Sequence, residues 1–344
     1  MGARQSHRVF PERLLQSPSL RSGSFAMTRE TFETMKSART VGHASDLLVV
    51  AGQAALAQEA AKRVVAIAEE AVARCGRFTV ALAGGSTPKR LYSLLAAEPY
   101  CARLPWRETH VFWGDERAVP PEHPDSNFGM ARATLLSRVP IPADQIHRMQ
   151  AERQDLDAAA GEYEAEIART FAAQPPGEPP AFDLILLGLG PDGHTASLFP
   201  YTPALRETRR WVVPNYIPKL KVNYPAASRG VSSSVLAGHS VLDTESSRAL
   251  WIPASAGMTN SRQAAGYRPS TKMNRLTLTT PILNRAATVL FLVSGVEKAA
   301  ALQAVLEGPP DPERLPAQLI RPVAGRLLWL VDQAAASRLG EKIP

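Results

Sequence analysis

Cysteine is nearly absent: Cys75 and Cys101 are the only two in 344 residues. Their spacing matches neither a redox pair nor a set of metal ligands, and no nucleophile signature surrounds either. This excludes a disulfide-stapled fold, suits a reducing compartment, and leaves both thiols as buried or incidental. Long apolar runs are missing as well. The buried-looking runs, such as those at 183–187 and 327–331, are strand-sized, far short of the ~20 residues that cross a bilayer. No internal repeat is present and no linker cleanly divides two domains. The length leaves ample chain for one large core.

Charge of one sign is also scarce where it would matter. The formal net charge is +7, which invites a nucleic-acid reading. Residues 1–26 carry Arg4, Arg8, Arg13 and Arg21 against Glu12 alone. Residues 222–272 carry Arg229, Arg248, Arg262, Arg268 and Lys272 against Asp243 and Glu245. These two stretches hold nearly all the excess, whereas a nucleic-acid binder concentrates it on the folded core. Both also lack hydrophobic periodicity. Residues 1–26 are Arg- and Ser-rich, as targeting peptides are, but have no apolar h-region. The expectation is an N-terminal extension over 1–43, outside the fold, with Met27 or Met35 as the effective start. Residues 222–272 are rich in Ser, Ala, Gly and Pro, and "WIPASAGMT" looks like a translated bacterial repeat element. A structureless stretch this long is uncommon inside a compact domain. It is expected to be a disordered insertion on a surface loop, interrupting a single domain that spans 44–344.

Elsewhere strands alternate with helices. The Ala-rich region 46–74, ended by Gly76, reads as one long helix. "FTVALA" (78–83) reads as a strand, and "TPKRLYSLLAA" as a helix with Thr87 as cap and Pro88 in the first turn. "THVFWGDER" reads as a single strand with polar residues at its end. Helices follow at 128–136 and 156–171, then the strand "FDLILLGLG". Beyond the insertion come "RLTLTT" as a strand, "PILNRA" as a helical turn, "TVLFLVSG", the helix "EKAAALQAVLEG" and the strand "RLLWLVD". This alternation implies an α/β fold whose largely parallel sheet is covered on both faces.

In open α/β sheets, ligands bind beyond the carboxyl ends of the strands, and three such ends carry chemistry. At "ALAGGSTPKRL", Gly84 and Gly85 free the backbone, Ser86 and Thr87 add hydroxyls, and the next helix aims unpaired N–H groups at the loop. That suits a phosphate, although an ordinary glycine-rich turn reads the same. A Walker A lysine is missing. At "FWGDERAVPPEHPDSNF", Asp115, Glu116 and Arg117 follow a strand directly, and the proline-rich residues after them fix the loop. Asp125, Ser126 and Asn127 either cap the next helix or bind hydroxyls.

The third end, "LILLGLGPDGHTASLFP" (184–200), contains Gly188, Gly190 and Gly193 in the spacing of the dinucleotide fingerprint. That fingerprint also demands a downstream strand ending in an acidic residue. Here the next strand, "WVV", runs into Pro214 and Asn215. The glycines are better read as letting the loop turn sharply to present Asp192 and His194. With a helix start expected after it, His194 reads as a general base, against the alternative of a structural histidine.

Together "ALAGGSTPKRLYSLLA", "HVFWGDERAVPPEHPDSNFGMARATLL", "LLGLGPDGHTASLFP" and "RLTLTTPILNRAATVLFLVSGVEKAAAL" resemble the 6-phosphogluconolactonase family, in the family's order, from about residue 44 onward. The resemblance implies a single-domain, Rossmann-like α/β sandwich. It implies hydrolysis of 6-phosphoglucono-1,5-lactone, the second step of the oxidative pentose phosphate pathway, in the cytoplasm. Metal and organic cofactor are not expected, nor are membrane or nucleic-acid partners. Functional links would be to the glucose-6-phosphate dehydrogenase and 6-phosphogluconate dehydrogenase steps. By resemblance, His194 activates water, Asp192 orients it, and Arg117 stabilises developing negative charge. Gly84, Gly85, Ser86, Thr87 and Lys298 would hold the phosphate, with Arg275 a further candidate. Asp115, Glu116 and Asn127 are candidate substrate contacts. The related glucosamine-6-phosphate deaminases differ, with Asn-Glu-Pro where this chain has Ser197-Leu198-Phe199-Pro200, and Asp-Glu-Tyr at Asp115-Glu116-Arg117. A deaminase or a silent sugar-phosphate binder is the alternative. In the family "YIPKLK" runs almost directly into "RLTLT"; here the insertion separates Lys219 and Lys221, expected at the site mouth, from Met273.

Overall fold

The computed structural model describes residues 38–41, 45–173, 177–216 and 274–340. Lys219, Lys221 and the segment 222–272 therefore lie outside the described residues, as does most of the extension 1–43.

Seven strands form the main sheet in the order β1-β2-β10-β9-β6-β3-β4. They are β1 Ala38–Val41, β2 Ser45–Val50, β3 Phe78–Leu82, β4 Thr109–Trp113, β6 Leu184–Leu187, β9 Thr288–Val293 and β10 Arg326–Asp332. Every neighbouring pair is parallel except β1 with β2. A second, antiparallel sheet, β5-β8-β7, joins Asp115–Arg117, Asn274–Leu278 and Val212–Tyr216. Burial explains the composition of the central strands. All of β3 and β6, and β9 beyond Thr288, are buried, so they read as continuous apolar runs rather than alternating ones. Phe291 and Trp329 stack across β9 and β10 with ring centroids 3.8 Å apart.

The helix Gln53–Cys75 buries Leu56, Ala60, Val64, Ala68 and Ala71 along one stripe and ends at Gly76 in the left-handed conformation. It packs on the helix Ser86–Leu95 and on β3 and β10.

Local reading erred where pairing is non-local. The long helix does not begin at residue 46: Ser45–Val50 is β2, drawn into the sheet by parallel pairing with Leu327–Asp332 on β10. Nor does the extension run through residue 43, since Ala38–Val41 pairs with β2 as the edge strand. "THVFWGDER" is two strands. Gly114 donates its N–H to Leu82 of the main sheet and its carbonyl accepts from Leu278 of the second, so the chain changes sheets there. Gly85, not Thr87, is the N-cap of the helix Ser86–Leu95, and no side chain caps it. After His194 the chain forms a short turn closed by a Thr195–Leu198 bridge instead of a helix.

Candidate active site

The chain order places β4 on one side of β3 and β6 on the other, and a crevice opens where the order reverses, outside the carboxyl ends. A cleft of ≈ 240 Å³ lies there, lined from β3 by Gly84, Gly85, Ser86 and Thr87, and from β5 by Asp115 and Arg117. The loop after β6 contributes Gly190 and His194, and the segment after β9 contributes Ser294 and Lys298.

On the β3 side, Tyr92 pins the strand end, its hydroxyl bonding both the N–H and the carbonyl of Ala83. Gly84 packs so closely on Asn127 that a Cβ would lie 1.8 Å from Oδ1. The helix Ser86–Leu95 then begins with its first-turn amides, which have no intrahelical partner, at the cleft wall. Helix dipole and free N–H groups together favour an anion. Lys298 faces the same cleft and makes no ion pair among the described residues.

On the β6 side the three glycines turn the loop. Gly190 N–H bonds the His194 carbonyl at 2.8 Å, and Gly193 N–H bonds Gly190 at 3.0 Å. Gly193 has φ 83, a conformation that side-chain-bearing residues rarely adopt. A Cβ on Gly190 would sit 2.0 Å from His194 Nδ1 and 2.5 Å from Asp192 Oδ1. Gly190 thus makes room for the side-chain pair, while Gly193 turns the chain against Leu315. His194 Nδ1 meets Asp192 Oδ1 at 2.5 Å. An ionised carboxylate only accepts, so Nδ1 carries the proton and Nε2 keeps its lone pair for the cleft. Burial works against the Asp192 carboxylate, but the hydrogen bond and charge of His194, with the backbone amides, outweigh it and hold the carboxyl below its usual value. The imidazole also stacks on Phe199 at 4.1 Å between centroids.

Arg117 lines the cleft and donates to the Asp125 carbonyl at 2.6 Å. Its cross-strand partner is Arg275, which is not among the lining residues. Burial first, then the Arg117 charge, lowers the Arg275 pKa. The Asp115, Glu116 and Asp125 carboxylates oppose that shift, so the two cations on facing strand positions stand among acidic neighbours.

Glu116 and Asn127 do not line the cleft as expected of substrate contacts. Glu116 is buried and receives the N–H groups of Arg117, Asn127 and Phe128 and the Ser126 hydroxyl, and Ser126 caps the helix Asn127–Thr134 by accepting the Gly129 N–H. Burial pushes its carboxyl up while those amides pull it back. Asn127 Nδ2 donates to the Asp115 carbonyl at 2.8 Å. Asp115 does reach the lining, yet its Oδ2 already accepts the Ser197 hydroxyl at 2.6 Å. This trio ties the β5 turn to the phosphate-side loop and to the segment after His194. Ser294, on the opposite wall, was not singled out in the sequence; its only signal is the Ser-Gly that ends "TVLFLVSG". Grouping cysteine, histidine and carboxylates reveals no metal cluster among the described residues.

A single imidazole oriented by a carboxylate, facing an anion-binding turn across a sheet's carboxyl edge, marks an α/β enzyme for a small anionic substrate. The comparisons narrow the class. The chain belongs to the family described as glucosamine-6-phosphate isomerases/6-phosphogluconolactonase, which matches residues 51–224 and 249–329. It is 40% identical over 270 residues to a 6-phosphogluconolactonase of Synechocystis sp., covering 78% of this chain and 88% of that one. A solved 6-phosphogluconolactonase from Trypanosoma cruzi superposes with a TM-score of 0.64 at 27% identity, over 86% of this chain and 97% of that one. A monomeric glucosamine-6-phosphate deaminase shares the fold at 20% identity and a TM-score of 0.59.

Proposed function

We propose that this protein hydrolyses 6-phosphoglucono-1,5-lactone to 6-phosphogluconate. The observation that carries the reading is the Asp192–His194 pair, which leaves one basic imidazole nitrogen for the cleft opposite an anion-binding turn. The lactone carbonyl is already electrophilic, so a positioned base and charge stabilisation suffice. His194 Nε2 takes a proton from water as the oxygen attacks C1. The imidazolium that forms is stabilised by Asp192, and Arg117 faces the negative charge developing on oxygen. Collapse breaks the bond from C1 to the ring oxygen, which receives the proton back from His194. Ser86, Thr87, the free helix amides and Lys298 hold the 6-phosphate before and during reaction, so they serve mainly binding.

The substrate would come from oxidation of glucose 6-phosphate at C1, and the product would pass to 6-phosphogluconate dehydrogenase. A cytoplasmic setting accords with two unpaired thiols. The test offers purified protein, after exhaustive chelation, the phosphorylated lactone and, separately, glucosamine 6-phosphate. Rapid lactone hydrolysis above the spontaneous rate, with no ammonia release and no saturable NADP binding, is the expected result. Turnover of the amino sugar, dependence on a restored divalent ion, or inactivity toward both would overturn the reading.

A further inference from the structure

We propose that Asp332 is a positioning residue for the phosphate side of the cleft: its carboxylate fixes the turn at Ser294 and Gly295 from which Lys298 enters the cleft. The proposal rests on the reading of Lys298 as a phosphate contact.

Parallel pairing of β10 with β9 sets Val331 opposite Val293. The next residues, Asp332 and Ser294, therefore come abreast where both strands end. Asp332 is 2% exposed and has no ion pair among the described residues. Three donors satisfy it instead. The Ser294 hydroxyl approaches Oδ2 at 2.5 Å. The Gly295 N–H lies 3.1 Å from Oδ1 and 3.2 Å from Oδ2. The Ala335 N–H lies 2.8 Å from Oδ1.

Two of these bonds act on the stretch that leads to Lys298. Gly295 has φ 101, and the turn Val296–Lys298 follows at once, leading into the helix Ala299–Glu307. A lysine stem is long and has many rotamers. What limits the ammonium is where its backbone is anchored, and a supporting shell left loose loses binding geometry. Ser294 itself lines the cleft, so its bond to Asp332 ties the cleft wall directly to β10. A buried carboxylate without a cation is costly unless its hydrogen bonds are complete. A cap for the turn after β10 alone would need only the Ala335 bond. The bonds to Ser294 and Gly295 go beyond that need.

The experiment measures kcat and KM on the phosphorylated lactone and on gluconolactone without phosphate. The variants are Asp332→Asn, Asp332→Ala, Lys298→Ala and the double variant Asp332→Ala with Lys298→Ala. Lys298→Ala should lower the preference for the phosphorylated lactone. Asp332→Ala should lower it by roughly 10- to 100-fold, mostly through KM, with turnover of the plain lactone nearly unchanged. Asp332→Asn, which keeps one acceptor oxygen, should show a smaller loss in the same direction. On the Lys298→Ala background, Asp332→Ala should change the preference little further, because both act through one contact. A parallel fall on both lactones would make Asp332 a mere cap of the turn after β10 and overturn the proposal. So would losses that simply multiply in the double variant. If Asp332→Ala fails to fold, Asp332→Asn decides: an unchanged preference overturns the proposal. If Lys298→Ala leaves the preference intact, the phosphate reading falls and the proposal falls with it. If Lys298→Ala alone shifts it, only the role of Asp332 fails.

Discussion

Asp192 and His194, two residues apart, close a 2.5 Å bond between Oδ1 and Nδ1 over Gly193. The bond decides which imidazole nitrogen is basic, and Gly190 leaves the space in which it forms. His194→Ala should therefore lower kcat by roughly 10²–10⁴-fold with the fold intact, after subtraction of spontaneous hydrolysis. Gly190→Ala, which alters no ionisable group, should cause a comparable loss, because its Cβ would displace the pair. Near-normal turnover in either variant, measured by product formation at saturating lactone, contradicts the assignment.

Gly84 and Asn127 form a second close approach. Gly84→Ala should raise KM for the lactone and destabilise the fold by about 1–3 kcal/mol, as overpacking does. Asn127→Ala removes the obstructing amide, so the double variant should recover part of the lost affinity. Strictly additive losses in thermal melts and in KM would show that the two do not meet.

A hydrogen-bonded relay centred on the buried His147 predicts a pH dependence of stability. His147 Nδ1 meets Glu166 Oε1 at 2.6 Å, and its Nε2 meets His110 Nδ1 at 3.1 Å. Both imidazoles are held below 6.5, by burial first in each case; Glu166 opposes the effect at His147, and the His147 and Arg77 charges add to it at His110. Below about pH 6.5 the unfolded chain takes up protons that the folded chain still refuses. Stability is therefore full above that pH and declines as pH falls toward the folded-state values. Denaturant midpoints across pH 5–8 should drop on the acid side, and His147→Gln should flatten the drop. An equal slope in both proteins would remove the relay as its cause.

We propose that residues 222–272 are dispensable. The described strands make the deletion geometrically simple, since Tyr216 ends β7 directly opposite Asn274, which begins β8. Joining Lys221 to Met273 leaves a short hairpin loop of ordinary length between paired strand ends. The family match passes over residues 225–248 and resumes at 249, so it sets aside only the first half of the segment. The deletion variant should fold and hydrolyse lactone at an equal or higher rate. A variant that unfolds, or folds without activity, would make the segment an integral part of the enzyme.

The sequence by itself determined most of the strand-helix alternation and which polar groups stand at three strand ends, Asp192 and His194 among them, because each rests on a local pattern. Apolar runs such as "TVLFLV" can only be buried strands or buried helix, and a Gly-rich turn before a helix presents unpaired amides wherever it lies. Tertiary structure alone decided what depends on distant partners. Residues 45–50 became a strand because β10 offers its edge, and Gly114 became the point where the chain leaves one sheet for another. Glu116 and Asn127 look like substrate ligands in the sequence, but the Glu116 carboxylate accepts backbone amides and Asn127 Nδ2 donates to Asp115, leaving only Asn127 Oδ1 without a partner among the described residues. Asp332 looks like the polar end of a strand, yet it faces Ser294, 38 residues earlier in the chain. Local sequence fixes which groups a segment carries. Only the pairing of strands brings those groups to one edge and settles which remain free for a ligand.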